Sequence, residues 1–301
     1  MGQSRSVPND QKRLARQWRT SVRVRIDSHM HFWRYTAAEY AWIDSSMAAL
    51  QRDFMPADAW RGMQRAGMAA CVAVQVRQTV EETRWLLTLA EAHPFIAGVV
   101  GWVDLRSDDL DAQIDSLKHP KLVGVRHIVQ AEPDDFLHDD YFRRGIARLG
   151  RHGLAYDILI YARQFPAAID FAAAFPDARF VLDHLGKPDI RANGFDAWRR
   201  DLDRMAALPN VVAKLSGLVT EADWNRWTIE DVHRYVNAAL DRFGPDRLMI
   251  GSDWPVCTLA GEYDEVLDVV RTAISGRPAE EQDAVLGGTA QSFWRLKRDK
   301  G

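Results

Sequence analysis

RFVLDHLGKPDIRANGFDAWRRDLDRMAALPNVVAKLS, residues 179–216, holds one complete strand–helix–strand unit. The run Arg179–His184 (RFVLDH) is short and rich in β-forming residues. Gly186 and Pro188 open a loop directly after it. Asp196–Leu208 carries apolar residues at helical spacing, and Pro209-Asn210 punctuates the return to a second β run, Val211–Ser216 (VVAKLS). A strand, a helix and a strand in this order imply two parallel strands with the helix packed across them.

The same unit recurs on both sides. Upstream lie Val22–Asp27 (VRVRID), Cys71–Val76 (CVAVQV), Ile96–Val103 (IAGVVGWV), Leu122–His127 (LVGVRH) and Leu154–Ile160 (LAYDILI); downstream lies Leu248–Asp253 (LMIGSD). The gaps hold amphipathic stretches such as Glu81–Ala92 and Asp140–Arg151. Eight strand–helix units predict an α/β fold, a (β/α)8 TIM barrel. An open doubly wound sheet is the competing architecture, but no glycine-rich dinucleotide loop follows the first strand. Glu280–Lys297 reads as extra C-terminal helices. No Gly-, Ser- or Pro-rich linker interrupts the chain, so residues 21–301 read as one TIM-barrel domain. Residues 1–20 carry Arg5, Lys12, Arg13, Arg16 and Arg19 against Asp10 alone, and read as a flexible basic extension.

The chain of 301 residues has a net charge of −3, which gives no electrostatic case for nucleic acid. No apolar run approaches a membrane span, and no signal-peptide core stands near the start. Two distant cysteines, Cys71 and Cys257, suit reduced thiols in a cytoplasmic enzyme. Assembly into a homo-oligomer is compatible with all of this.

In a TIM barrel the chemistry gathers at the C-terminal ends of the strands. His29 and His31 are two apart on the first strand, so both rings share one side, with α-carbons about 7 Å apart. His184 closes the sixth strand and Asp253 the eighth. Three histidines and a carboxylate suit one zinc ion held by some of His29, His31, His184 and Asp253, with a position open for water. Asp253 is also placed to act as general base on that water. Asp183 alternates with His184 and is expected to face the helices. Arg126 and His127 alternate at the end of the fourth strand, where Arg126 could grip a carbonyl by two parallel hydrogen bonds. Gln75, Tyr156, His127, Trp33, Trp102 and Trp254 offer amide, phenol, imidazole and indole groups for a small ring with hydroxyls. For each tryptophan, plain packing under loops is an equal alternative.

The runs IDSHMHFW, GVRHIVQ, VLDHLGKP, AKLSGL and MIGSDWPVC occur in this order and together resemble the amidohydrolase-related lactonase family of the amidohydrolase superfamily. That family includes L-fuconolactone and L-rhamnonolactone hydrolases and pyrone-dicarboxylate lactonases. The resemblance covers about residues 22 to 295 and implies a distorted (β/α)8 barrel that hydrolyses a small-molecule lactone. It matches His29, His31, His184 and Asp253 to the family's histidines and catalytic aspartate, and Arg126 to an arginine that meets the lactone. The wider superfamily bridges two metals through a Lys or Glu after the fourth strand and a His after the fifth. Here those ends hold Arg126-His127 and Ile160-Tyr161, which argues against a binuclear centre. The expected cofactor is one divalent ion, zinc, which the family can dispense with, and no organic cofactor. The expected substrate is an aldonolactone such as L-fuconolactone or D-galactonolactone. The alternatives are a pyrone dicarboxylate, or decarboxylation of an aromatic acid on the same barrel.

Overall fold

In the computed structural model, residues 24–297 are described. The basic stretch 1–20 therefore lies outside the described residues. Eight parallel strands follow one another in sequence and in space, β1 (Ile26–Met30), β2 (Ala70–Val74), β3 (Ile96–Gly101), β4 (Leu122–His127), β5 (Ala155–Ile158), β6 (Phe180–Leu182), β7 (Val211–Leu215) and β8 (Leu248–Ile250). Helices return the chain between them: α1 (Pro56–Arg65), α2 (Val80–Ala92), α3 (Leu110–Ser116), α4 (Asp140–Leu149), α5 (Phe165–Ala174), α6 (Phe195–Ala206) and α7 (Ile229–Phe243). After β8 come α8 (Tyr263–Ile274), α9 (Ala279–Asp283) and α10 (Thr289–Phe293). The fold is a TIM barrel with added C-terminal helices.

Local chemistry sets the helix starts. Pro56 begins α1, where a missing N–H costs nothing. Thr79 caps α2 by accepting from Glu82 N, and Thr228 caps α7 in a box with Asp231.

The barrel closes unevenly. At the C-terminal end β1 meets β8 directly: His31 N donates to Trp254 O at 2.7 Å, and Asp253 N donates to His29 O at 2.9 Å. At the other end a single π turn, Ala284–Gly288, packs against both strands. Only a glycine fits at its apex, because a Cβ on Gly287 would lie 2.0 Å from Val24 O. The lower interior is filled by Ile26, Val72, Val74, Val100, Ala155, Val181, Val212 and Met249, with Trp294 beneath them.

Most strand ends differ from the sequence expectation. The sixth stops at Leu182 and the eighth at Ile250, because His184 and Asp253 have φ of 53° and 60° and leave the extended region. The first instead runs on to Met30. It carries a bulge: Asp27 pairs with Cys71 and Met30 with Ala73, three residues against two. Ile26 faces the interior with Ala70; after the bulge His29 and His31 face it, while Met30 packs outward.

Candidate active site

Three strand ends, those of β1, β6 and β8, bring the histidine and aspartate side chains together. His29 Nε2 lies 3.1 Å from His31 Nε2, and His31 Nε2 lies 3.2 Å from Asp253 Oδ1. Asp253 Oδ1 is also 3.7 Å from His29 Nε2 and 3.9 Å from His184 Nε2. All four residues are buried. The outer nitrogens of two rings are tied: His31 Nδ1 donates to Val74 O at 2.8 Å, and His184 Nδ1 meets Ser216 Oγ at 2.9 Å. The first bond leaves the Nε2 lone pair of His31 facing the cavity.

His184 and its neighbours adopt a rare backbone. His184, Leu185, Gly186 and Lys187 all have positive φ, a left-handed turn that costs a non-glycine residue about 1–2 kcal/mol. The surroundings hold it in place. Trp198 Nε1 donates to Leu185 O at 2.8 Å, and Lys187 N to His184 O at 2.9 Å. Phe165 crowds Gly186, and Gly217 lies flat against the His184 ring. Such strain, imposed at a functional side chain, orients it.

This turn corrects one expectation. Along β6, Phe180 and Leu182 pack outward and Val181 inward, so Asp183 falls inward by alternation. The left-handed step at His184 then breaks the alternation, and both residues face the interior. Asp183 takes Arg126 Nη1 at 3.0 Å and Lys214 Nζ at 2.8 Å. Lys214 also binds Asp157 at 2.5 Å and reaches His29 Nδ1 at 3.1 Å. A buried layer of two cations and two carboxylates thus underlies the site. Its members Lys214, Asp157 and Asp183 have no place in the expected site. The signal was present: a lysine and an aspartate of opposite sign each sit inside an apolar strand, VVAKLS and LAYDILI, where neither is found unpaired.

Burial and neighbours set the charges. Burial, aided by Lys214, pushes His29 far below the usual histidine range, and burial takes His184 down to about 4. Burial works against the Asp253 carboxylate, but His184, His31 and His29 outweigh it and hold the group below its usual value. At neutral pH the cavity therefore presents an ionised Asp253 carboxylate beside the neutral imidazoles of His29 and His184. Burial raises Asp157 to about 7, whereas Lys214, His29 and Arg126 overcome burial at Asp183 and keep it charged.

The other expected residues separate. Arg126 faces inward, but its guanidinium is engaged: Nη1 with Asp183 and, at 3.3 Å, His29 Nε2; Nη2 donates to Gln75 O. Gln75 returns a bond from Nε2 to Arg126 O at 3.0 Å and is fully buried, so it braces Arg126 instead of facing a substrate. His127 faces away, stacked on Phe136 and bonded to Glu132 at 2.8 Å. Tyr156 also lies outside the barrel wall, among Phe142, Phe171 and Phe180, because Asp157 takes the inward position on β5. Trp33 is sealed under a loop against Tyr40 and Phe54, its Nε1 donating to Arg52 O at 2.9 Å. These placements remove His127, Tyr156 and Trp33 from the substrate-binding set. Trp254 packs on Phe32 and Phe54 and is 7% exposed. Trp102 is partly exposed, with Nε1 3.4 Å from His127 Nδ1.

His29, His184 and Asp253 can each offer one ligand atom, all within 4.8 Å of one another, and His31 adjoins this group. Two imidazoles and a carboxylate suit zinc, and the anchored outer nitrogens of His31 and His184 are the kind of support that orients ligating rings. The donor set therefore fits a single divalent ion.

The comparisons with known proteins agree with this architecture. The chain is 45% identical over 285 residues to the L-fucono-1,5-lactonase of Burkholderia multivorans (strain ATCC 17616 / 249), covering 91% of this chain and 96% of that one. It is 39% identical over 285 residues to the L-fucono-1,5-lactonase of Burkholderia ambifaria, covering 92% and 97%. A crystal structure of an amidohydrolase from Burkholderia multivorans with bound zinc superposes with a TM-score of 0.89 at 44% identity, covering 91% of this chain and all of that one. The amidohydrolase family model matches residues 26–296, and this chain belongs to the amidohydrolase family.

Proposed function

We propose that this protein hydrolyses a sugar-acid lactone, an aldonolactone such as L-fuconolactone or D-galactonolactone, to the open aldonic acid. The observation that carries the reading is the ionised Asp253 carboxylate at the C-terminal mouth of the barrel, 3.7 Å and 3.9 Å from the neutral rings of His29 and His184. Asp253 removes a proton from water as the water oxygen attacks the lactone carbonyl. The Arg126 charge, 3.3 Å from His29, favours the oxyanion that forms. The tetrahedral intermediate collapses, the ring C–O bond breaks, and Asp253 returns its proton to the departing oxygen. A zinc ion held by His29, His184 and Asp253, with His31 beside them, would add polarisation of the carbonyl.

A neutral polyol fits better than a dicarboxylate. The cations that loops bring near the strand ends each have a carboxylate partner: Arg77 with Glu39 at 2.9 Å, Arg163 with Asp134 at 2.8 Å and Lys187 with Glu221 at 3.1 Å. A second substrate carboxylate would have to break one of these pairs. Decarboxylation is the weaker reading for the same reason. Trp102 and Trp254 remain as the ring-facing contacts of this site, and a cytoplasmic setting suits the buried free thiols of Cys71 and Cys257.

The test is acid release across a panel of L-fuconolactone, D-galactonolactone and 2-pyrone-4,6-dicarboxylate, with carbon dioxide measured alongside. An aldonolactone is expected to give the highest kcat/KM. A tenfold preference for the dicarboxylate, about 1.4 kcal/mol at the transition state, would overturn the substrate assignment. Carbon dioxide from an aromatic acid without lactone turnover would overturn the reaction.

A further inference from the structure

The left-handed turn that aims His184 ends on Lys187, a non-glycine residue at a φ of 49° whose N–H donates to His184 O at 2.9 Å. Its side chain reaches across to the next loop, where Lys187 Nζ meets a Glu221 oxygen at 3.1 Å. Glu221 closes a short turn after β7, Val219–Glu221. Backbone bonds pin that turn at both ends of Glu221: its N–H donates to Leu218 O at 3.1 Å, and its carbonyl accepts from Arg191 N at 3.1 Å. The turn packs against Val256–Leu259, which follows directly on Asp253 and its prolyl segment. From the loop after β5, the Tyr161 ring stands 5.2 Å from Lys187 Nζ. Because β5, β6 and β7 are neighbours in the barrel, the three side chains gather on one side of its mouth.

This pair differs from the other ion pairs of the rim. Its side chains are 17% and 18% exposed, whereas those of Arg77–Glu39 and Arg163–Asp134 are at least 30% exposed. It also has bonding capacity to spare. An ammonium carries three N–H donors and a carboxylate has two accepting oxygens, and among the described residues each group has the other as its one charged partner. Burial works against the Lys187 charge, but Glu221, Tyr161 and Asp253 outweigh it and raise the group, so the ammonium is within electrostatic reach of the catalytic carboxylate.

We propose that Lys187, Glu221 and Tyr161 form a subsite that recognises hydroxyl groups on the substrate ring; the proposal rests on the lactonase reading and names where its specificity lies. A hydroxyl needs an acceptor for its proton and a donor for its oxygen. The spare Glu221 oxygen and the spare Lys187 N–H supply both, and hydrogen bonds to charged groups are the stronger kind. The pair is neutral as a whole, so it takes up a hydroxyl without giving up its own contact. The Tyr161 ring beside it suits the C–H face of a sugar. A carboxylate in the same place would be drawn by Lys187 and repelled by Glu221, which favours a polyol over a dicarboxylate.

The test is titration calorimetry on the full-length chain with the δ-lactam of L-fuconic acid, a hydroxylated ring that resists hydrolysis, and with its mono-deoxy analogues. Glu221→Gln trades the spare acceptor for an amide N–H, and Lys187→Met removes the donor. Each variant is expected to weaken the parent lactam about tenfold, the scale of one charge-assisted hydrogen bond, and to leave its affinity for at least one mono-deoxy analogue within about twofold of wild type. An unchanged affinity for the parent in both variants would overturn the proposal. So would an equal loss for the parent and every analogue, which is the signature of a structural ion pair, and so would a wild type that does not bind the parent. If one variant fails to fold, the other decides. No turnover is measured here, so failure of the subsite is distinguishable from failure of the lactonase reading, which the substrate panel measures.

Discussion

Gly217 follows β7 at a φ of +63°, and a Cβ built on it would lie 2.4 Å from His184 Nδ1 and 2.8 Å from Cγ. Ordinary contact begins near 3.4 Å, so Gly217→Ala must drive the ring back by about 1 Å. The ring cannot retreat without cost, because the left-handed turn fixes its root and Ser216 Oγ holds Nδ1 at 2.9 Å. Two contributions can be estimated. The left-handed backbone costs an alanine about 1 kcal/mol, and loss of the Ser216 bond about another 1 kcal/mol. A total of about 2 kcal/mol of destabilisation is expected by urea unfolding. The effect on turnover is expected to be larger in proportion, since a misplacement of about 1 Å at a catalytic group can cost on the order of a hundredfold.

Gly153 supplies the control. It has a left-handed backbone, φ +69° and ψ 15°, and nothing within 4 Å of its built Cβ. Gly153→Ala therefore carries the backbone cost of about 1 kcal/mol without touching the site. Urea curves and kcat/KM on the best lactone are measured for both variants. If Gly217→Ala matches Gly153→Ala in stability and retains full kcat/KM, the ring of His184 is not where the reasoning requires it.

Asp253→Asn is expected to keep the fold and lose about a hundredfold or more in kcat; near wild-type turnover would show another base. Tyr156→Phe is expected to leave kcat/KM unchanged, because the phenol lies outside the barrel wall; a clear loss would return it to the site. Glu82 is buried, accepts from Val76 N and Arg77 N, and is raised from 4.5 to about 7 by burial. Its folded form keeps the proton to higher pH than the unfolded chain does, so its contribution is full below pH 4.5 and falls as pH rises to about 7. Wild type should lose on the order of 3 kcal/mol relative to Glu82→Gln across that window, and a pH-independent difference would refute the shift.

The strand count was legible because short β-rich runs recur with helical stretches between them, and the run Leu122–His127 matches β4 residue for residue. The shared side of His29 and His31 was legible from spacing alone. Their inward direction was not, since the bulge after Asp27 reverses the parity set by Ile26. Asp27 carries that reversal: it accepts from His29 N at 3.0 Å and Ser252 N at 2.9 Å and from the Tyr263 hydroxyl at 2.9 Å, tying β1 to the loop after β8. Nothing in the IDSHMH run announces such a bond, because its partner lies 225 residues away. The shared inward direction of Asp183 and His184 was illegible for a related reason. Alternation assumes extended backbone, and the left-handed step at His184 depends on Trp198, Phe165 and Gly217, three residues from three other segments. Tyr156 shows the converse: regular alternation held on β5, and the inward place belonged to its charged neighbour Asp157.

The charge balance of the interior explains why this site favours a neutral substrate and an anionic product that leaves. Arg126 and Lys214 formally cancel Asp157 and Asp183, and the rings of His29 and His184 are neutral, so among the described residues Asp253 carries the unbalanced charge of the cavity. A neutral lactone meets no repulsion from it. Ring opening creates a second carboxylate where the carbonyl stood, within a few ångströms of Asp253. Two like charges about 4 Å apart repel by roughly 4 kcal/mol at an effective dielectric of about 20. The same carboxylate that draws the proton from water thereby weakens the hold on the product. A dicarboxylate substrate would meet that repulsion on binding, before any chemistry, unless Arg77, Arg163 or Lys187 abandoned its present partner. Specificity and product release then follow from one feature, a single uncompensated negative charge in a cavity whose remaining charges are already paired.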